Sequence, residues 1–208
     1  MRLAPGVALA AALLASGAGL GSGGSGPGSS TVPTGSVPVG VQPSTSVDGR
    51  LNPCPASGPA TALASGGRPD LTLACLDPGA GAQQVRLAGL RGKPLVLSIW
   101  ASWCEPCRTE LPAVAQVAKS AGDTVTFLGV DVEDQAGDAQ ALAKALSVRF
   151  NSVQDPDGVT KQPLGWIGPP MTLFVDASGH VVGRTIGSVG DAANLRALIQ
   201  KNLGVTVG

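Results

Sequence analysis

The residues in this sequence most clearly suited to chemistry are two cysteines three positions apart, Cys104 and Cys107. They follow a short apolar run and open a stretch of helical spacing, so both should lie where a helix begins. Unpaired N–H groups and the positive dipole end there favour a thiolate. Pro106 suits the first helical turn, where its missing N–H needs no partner. We predict that an exposed Cys104 attacks a substrate disulfide and that Cys107 resolves the mixed disulfide.

Composition narrows the classes to which the protein can belong. Lys and Arg (14) balance Asp and Glu (14), and zero net charge argues against a nucleic-acid binder or a polybasic membrane-surface protein. Three Trp, three Phe and no Tyr leave little aromatic surface for stacking bases or sugars. Four cysteines in 208 residues are too few for a small protein held together by disulfides. They suffice for one redox or metal site and one structural disulfide.

The N-terminal part of the chain predicts export. A positive start, the apolar run Leu3–Ala15 and the small residues after it are typical of a signal peptide. We predict a signal peptide or N-terminal anchor at 1–18, and hence an extracytoplasmic protein that is secreted or tethered to the outer face of the cytoplasmic membrane. Residues 19–50 are rich in Gly, Ser, Thr and Pro, which predicts a disordered linker. The remaining residues, 51–208, suit one domain.

Alternating strand and helix patterns in this domain predict an α/β fold. Short apolar, β-rich runs predict buried strands, and apolar residues three and four apart predict helices. The predicted strands are 93–100, 125–130, 171–175 and 180–186, and the predicted helices are 106–119, 138–146 and 191–203. An extra hairpin, formed by 71–73 and 84–86, precedes the first strand. This order predicts a mixed central sheet flanked by helices.

The other two cysteines, Cys54 and Cys75, bear on whether the site holds a metal. A zinc site at Cys104 and Cys107 would need two more ligands, but no second CxxC pair exists and His180 stands alone in a predicted hairpin. We therefore expect no metal ion and no cofactor. In an exported protein Cys54 and Cys75 should form a structural disulfide, worth roughly 3 kcal/mol from the loop that it closes. A second redox relay is the alternative.

The stretch 95–112, which contains Trp-Cys-Glu-Pro-Cys, resembles the TlpA-like family of extracytoplasmic thioredoxins, which includes the ResA-type reductases and falls among the AhpC/TSA redoxins. Leu71-Thr-Leu73 before it and 165–176 after it match the family's flanking motifs, so the resemblance covers about 70–205. It implies a thioredoxin fold, with the hairpin as an N-terminal extension and a helical insertion at about 132–164.

The resemblance also implies a substrate groove beside the cysteines. Pro170 aligns with the family's cis-proline, which lies opposite the CxxC pair. Pro169 departs from the pattern, because this position usually keeps a backbone N–H for the substrate, so peptide docking should be weaker or differently registered. We expect Trp103, Glu105 and Pro106 to complete the substrate-binding surface, and Trp103 to pack beside the disulfide.

Glu110 matches an active-site glutamate of the ResA-like members. Three residues after Cys107, it should share a helix face with that cysteine and accept its proton. A solvated surface glutamate is the alternative. Ser98 stands where cytoplasmic thioredoxins carry a buried Asp, and its hydroxyl cannot act as that base near neutral pH. Glu105, between the cysteines, should disfavour the thiolate and keep the site from being strongly oxidising.

These residues predict a thiol–disulfide oxidoreductase. The resemblance implies reduction of extracytoplasmic protein disulfides, in apocytochrome c maturation among other processes, with electrons from a membrane thiol–disulfide partner. We expect a monomer. An oxidase or isomerase of secreted protein folding is the close alternative, since direction depends on redox potential. A peroxidase shares the fold but does not call for a CxxC pair. A non-enzymatic metal or haem chaperone is the alternative of a different class.

Overall fold

Seven strands form one mixed sheet in the computed structural model, which describes residues 51–59, 69–77, 79 and 81–208. The strands are β1 (Thr72–Cys75), β2 (Gln84–Arg86), β3 (Leu95–Trp100), β4 (Thr126–Val132), β5 (Ser152–Asp155), β6 (Met171–Val175) and β7 (Val181–Ile186). Their spatial order is β2-β1-β5-β4-β3-β6-β7, with β3, β4 and β5 parallel and the other pairs antiparallel. The predicted α/β thioredoxin fold is confirmed.

In the described residues, four helices flank this sheet, and the three longer ones pack on the same face. They are α1 (Glu105–Ala121), α2 (Ala136–Ala145), α3 (Lys161–Leu164) and α4 (Ala192–Leu203), with a short 3-10 turn at Leu87–Gly89. Asp191 caps α4 as predicted, because its side chain accepts a hydrogen bond of 2.8 Å from the backbone N–H of Asn194. Gly204 ends α4 at a φ of 68°, in the left-handed region that favours glycine.

The interior strand β3 has core side chains on both of its faces. All six of its residues are buried, which is why the run is apolar apart from Ser98. Val96 and Trp100 belong to the cluster that includes the inner face of α1. Leu97 and Ile99 point to the opposite face and join the cluster that contains β1 and β2 side chains. The strand therefore ends between two packed layers, and this fixes the point at which α1 begins.

The insertion between β4 and β6 contains a strand as well as the predicted helix. After α2, the chain returns as β5, which pairs in parallel with β4 and antiparallel with β1. This strand connects the N-terminal hairpin to the main sheet. Its partner β4 has a glycine at position 129, where an added Cβ would lie 2.3 Å from the Ser152 hydroxyl oxygen. The Trp100 indole nitrogen would lie only 2.6 Å from that Cβ, so glycine leaves the space in which the side chains of β3 and β5 pack over β4.

The predicted signal peptide or anchor and the predicted linker lie outside the described residues. The domain start at residue 51 likewise stays a prediction. Within the described ranges, no helix has both the length and the apolar character needed to cross a membrane.

Candidate active site

Cys104 and Cys107 form a disulfide at the start of α1, with 5.3 Å between their Cα atoms. Cys104 is the N-cap residue of the helix, and its sulfur accepts a hydrogen bond of 3.2 Å from the backbone N–H of Cys107. That N–H would otherwise lack an intrahelical partner, and in the reduced protein it would stabilise a thiolate on Cys104. The strand–CxxC–helix arrangement predicted from the sequence is therefore present.

The sequence predicts an exposed Cys104, and that prediction is wrong. Cys104 is only 4% exposed, because its sulfur caps the helix and packs in the cluster that includes Trp100 and Leu111. Cys107 is 0% exposed. Of the two cysteines, only Cys104 keeps any exposed surface, so we expect a substrate to approach the disulfide from the Cys104 side.

A tight turn, residues 101–104, carries Cys104 from the end of β3. The backbone N–H of Cys104 donates to the Ala101 carbonyl at 3.3 Å. Ser102 donates through its backbone N–H and its hydroxyl to the Asp134 carboxylate. The Trp103 indole N–H donates to the Glu133 carbonyl at 3.0 Å, while the ring remains 55% exposed. The segment after β4 thus holds the active-site turn in place and leaves an aromatic surface beside the disulfide.

Pro170 lies at the same edge of the sheet as the turn. The Pro169–Pro170 peptide bond is cis, and β6 begins directly after it. Met171 of β6 pairs with Ile99 of β3, so the residue before Met171 lies beside the end of β3, which leads into the turn. Pro170 is buried and Pro169 half-buried. The structure therefore places this proline loop next to the cysteine-bearing turn.

Glu110 is buried, with only 1% of its surface exposed. One carboxylate oxygen accepts hydrogen bonds from the Ser188 hydroxyl at 2.6 Å and from the Val189 backbone N–H at 2.7 Å. Burial raises the pKa of Glu110, and these two hydrogen bonds oppose the rise. The alternative of a solvated surface glutamate is excluded. Proton transfer to Glu110 from Cys107 stays a prediction.

Replacing Glu110 with glutamine should slow resolution of the mixed disulfide by about 100-fold, the scale of general-base catalysis. The amide can still accept both hydrogen bonds, so the variant removes the base and keeps the packing. Because burial raises the Glu110 pKa, the wild-type rate should fall as acid protonates the carboxylate and level off once it is ionised. In E110Q that plateau should be absent, and the rate should keep rising with pH because Cys107 then ionises without a nearby base. Stopped-flow measurement of substrate release from pH 4 to 8 tests this. The control is D123N, an exposed Asp→Asn exchange just past the C-terminal end of α1. Equal pH profiles for wild type and E110Q would refute the role of Glu110 as a base.

Glu105 and Pro106 lie on the solvent side of the disulfide, and both are exposed. The Glu105 carboxylate lies 3.8 Å from the Arg108 guanidinium, an exposed pair of little energetic weight. Glu105 thus leaves a negative charge beside Cys104. Their predicted part in binding substrate stays a prediction.

Asp131 is a buried acid that the sequence analysis missed. It is 1% exposed, and neither carboxyl oxygen accepts a hydrogen bond from the described residues. Burial first, and then the neighbouring Asp134, raise the pKa of Asp131 to about 8. The segment Val130-Asp-Val-Glu-Asp134 was the available signal, since an acid inside a buried strand is rarely solvated.

Cys54 and Cys75 form a second disulfide, with 6.2 Å between their Cα atoms. Both are buried and belong to the cluster on the sheet face opposite α1, whereas Cys104 and Cys107 belong to the α1 cluster. Both sulfurs also lie near the Ser152 carbonyl oxygen, at 3.4 and 3.7 Å. The sheet therefore separates the two disulfides, which favours a structural role for Cys54 and Cys75 over a relay.

Known proteins share this fold and its chemistry. The thiol:disulfide interchange protein DsbE of Pseudomonas fluorescens is 32% identical over 125 residues, which cover 55% of this chain and 67% of that protein. The soluble secreted antigen MPT53 of Mycobacterium tuberculosis is 35% identical over 92 residues, 44% of this chain and about half (53%) of the antigen. A crystal structure of a secreted Mycobacterium tuberculosis disulfide oxidoreductase superposes with a TM-score of 0.53 at 27% identity, covering 62% of this chain and 96% of that one.

Residues 68–184 match the AhpC/TSA family, a span of more than half of the chain. This match confirms the redoxin family inferred from the sequence. It includes both the cysteine pair at 104 and 107 and the cis-proline loop. The chain therefore belongs to the AhpC/TSA family and is a thiol–disulfide oxidoreductase.

Proposed function

We propose that this protein reduces disulfides of extracytoplasmic proteins, apocytochrome c among them, and is itself re-reduced by a membrane thiol–disulfide partner. The observation that carries the proposal is the Cys104–Cys107 disulfide at the N-terminus of α1, with Cys104 as the helix N-cap residue. The interchange and secreted oxidoreductase relatives support both the reaction and the compartment.

The reaction is a two-electron exchange. In the reduced protein the Cys104 thiolate attacks one sulfur of the substrate disulfide, forms a mixed disulfide and releases the other substrate sulfur as a thiolate. The Cys107 thiol loses its proton and attacks the Cys104 sulfur, which releases the second substrate thiolate. The substrate has then gained two electrons, and the Cys104–Cys107 disulfide has formed.

Two features near Cys104 bear on the direction of the reaction, and they act in opposite senses. Strong oxidants of this class have a highly stabilised thiolate, because this stabilises the reduced form. Here Glu105 places an exposed negative charge between the cysteines, which works against the thiolate. The Cys107 N–H, which donates to the Cys104 sulfur, acts in the opposite direction and favours an oxidase. The balance of these two effects sets the redox potential.

The midpoint potential of the Cys104–Cys107 pair decides between the two directions. We expect equilibration of the full-length protein with glutathione buffers to give a value near or below about −270 mV, as in reductants. A value near −120 mV would identify an oxidant. The C107S variant, which cannot form the disulfide, is the control. A reduced protein that binds zinc, copper or haem and fails to reduce insulin would instead be a chaperone.

We further propose that the protein acts as a monomer outside the cytoplasm, either secreted or tethered. The secreted relatives support this compartment. Size-exclusion chromatography with light scattering tests the monomer. Fractionation of the producing cells and mass spectrometry of the mature N-terminus test release against tethering.

A further inference from the structure

The segment that follows β4 clamps the active-site turn through a buried carboxylate. Asp134 is 8% exposed and accepts hydrogen bonds from the Ser102 backbone N–H, from the Ser102 hydroxyl at 2.9 Å and from the Gln135 backbone N–H at 2.7 Å. Three donors on one carboxyl group suit its ionised form. Together with the bond from the Trp103 indole to the Glu133 carbonyl, they fix the turn that presents Cys104.

Asp131 lies beside Asp134 and has the opposite hydrogen-bonding character. Asp134 is the neighbouring acid that acts on Asp131, and no described donor reaches either oxygen of Asp131. Asp134, in contrast, has three donors. Two neighbouring buried carboxyl groups cannot both ionise cheaply, so the one without donors, Asp131, is the one that holds a proton.

Few other titratable groups face Asp131. The residues paired with it, Trp100 on β3 and Gln154 on β5, do not titrate. From α1 the titratable groups on this face of the sheet are Cys104, Cys107 and Glu110, and of these Glu110 is bonded to residues 188 and 189. The Glu133 carboxylate is partly exposed and pairs with Lys161 at 3.2 Å. The effective neighbour of Asp131 is therefore Asp134.

We propose that Asp131 and Asp134 share one proton and act as positioning residues for the redox site, with ionised Asp134 holding the turn that presents Trp103 and Cys104. The inference rests on the proposed redox role of Cys104. When Asp131 loses its proton, a second buried charge appears beside Asp134, and the hold on Ser102 weakens. The position of Cys104 thus depends on whether the buried Asp131 carboxyl group is protonated.

The first test follows the unfolding of the oxidised protein from pH 4 to pH 9, so that no thiol titrates. Because Asp131 holds its proton more tightly in the folded state, its stabilising contribution is complete below pH 4 and is lost as the pH rises toward 8. The wild-type unfolding constant should therefore gain up to tenfold per pH unit from this group. In D131N, whose amide can still donate to Asp134 and cannot ionise, this gain should be absent. D138N, an exposed Asp→Asn exchange in the first turn of α2, should behave as wild type.

The second test reads the redox site itself. Asp134→Asn should lower kcat/KM for a protein disulfide about tenfold and shift the pH at which the Cys104 thiolate forms, followed by ultraviolet absorbance. Asp134→Glu should recover part of both, and Ser102→Ala, which keeps the backbone donor, should lose less than D134N. Above pH 8 the wild-type rate should decline relative to that of D131N.

Unchanged thiolate titration in D134N, or the same pH dependence of unfolding in D131N and wild type, would overturn the proposal. If a variant does not fold, carbon-13 NMR of the Asp131 carboxyl group in the wild-type protein still tests the proposal. A carboxyl group that titrates below pH 5 would overturn the proposal. A failed reductase assay or an oxidising potential would overturn the proposed function alone, because the unfolding and NMR tests need no turnover.

Discussion

Serine in place of Cys104 should abolish disulfide reduction, with kcat/KM falling about 1,000-fold or more. A hydroxyl near neutral pH provides no anion comparable to the thiolate that attacks a disulfide sulfur. We expect that Cys107 cannot replace it, because Cys107 is 0% exposed. Insulin reduction with a small-molecule thiol as electron source measures the loss.

The companion variant C107S distinguishes attack from resolution. It keeps the Cys104 nucleophile and lacks the resolving thiol, so the mixed disulfide with substrate should accumulate instead of turning over. Non-reducing electrophoresis and intact-mass measurement detect this species. A C104S protein that still exchanges disulfides, or a trapped species on Cys107 in wild type, would contradict the roles given to these two cysteines.

Replacing Cys54 and Cys75 together with alanine should lower the free energy of unfolding by roughly 3 kcal/mol, because the crosslink closes a loop of about twenty residues in the unfolded chain. The two positions are 21 apart in sequence. In the folded state the bond secures the segment that starts at residue 51 against β1 and β5. Urea unfolding of the oxidised proteins at one pH gives the difference.

The C54A/C75A variant also distinguishes a structural disulfide from a second redox relay. The two disulfides lie in different clusters on opposite faces of the sheet, so the Cys104–Cys107 potential should not change in C54A/C75A. Insulin reduction below the unfolding transition should also stay at the wild-type rate. A shifted potential or a slower electron supply would show that Cys54 and Cys75 take part in the redox cycle.

The parts of the fold that follow from local pattern were predictable. β3 and β6 are short runs buried on both faces, and such runs stay apolar whatever surrounds them. The start of α1 was also predictable, because a CxxC pair after a buried strand constrains both geometry and chemistry. β5 was not, since Ser152-Val-Gln-Asp155 is short and polar and becomes a strand only by pairing with β4 and β1.

The surroundings of the buried acids Asp131 and Asp134 are a second feature that the sequence alone could not predict. The apolar run around Asp131 indicates that the acid is buried, but the groups that surround it come from other strands and cannot be read from the sequence. Asp134 binds Ser102, 32 positions earlier in the chain. The low exposure of Cys104 likewise results from long-range packing around its helix-capping sulfur. Sequence spacing therefore locates the reactive atoms, and only the tertiary structure shows what surrounds them.

β1 reaches the main sheet only through β5, and this dictates an order of assembly. β1 and β2 lie close together in the chain, so they can pair with each other before the rest of the sheet forms. Their docking requires β5, which comes much later in the chain. The hairpin and the cysteine that it carries, Cys75, therefore join the sheet only after the central strands β3 and β4 have been made.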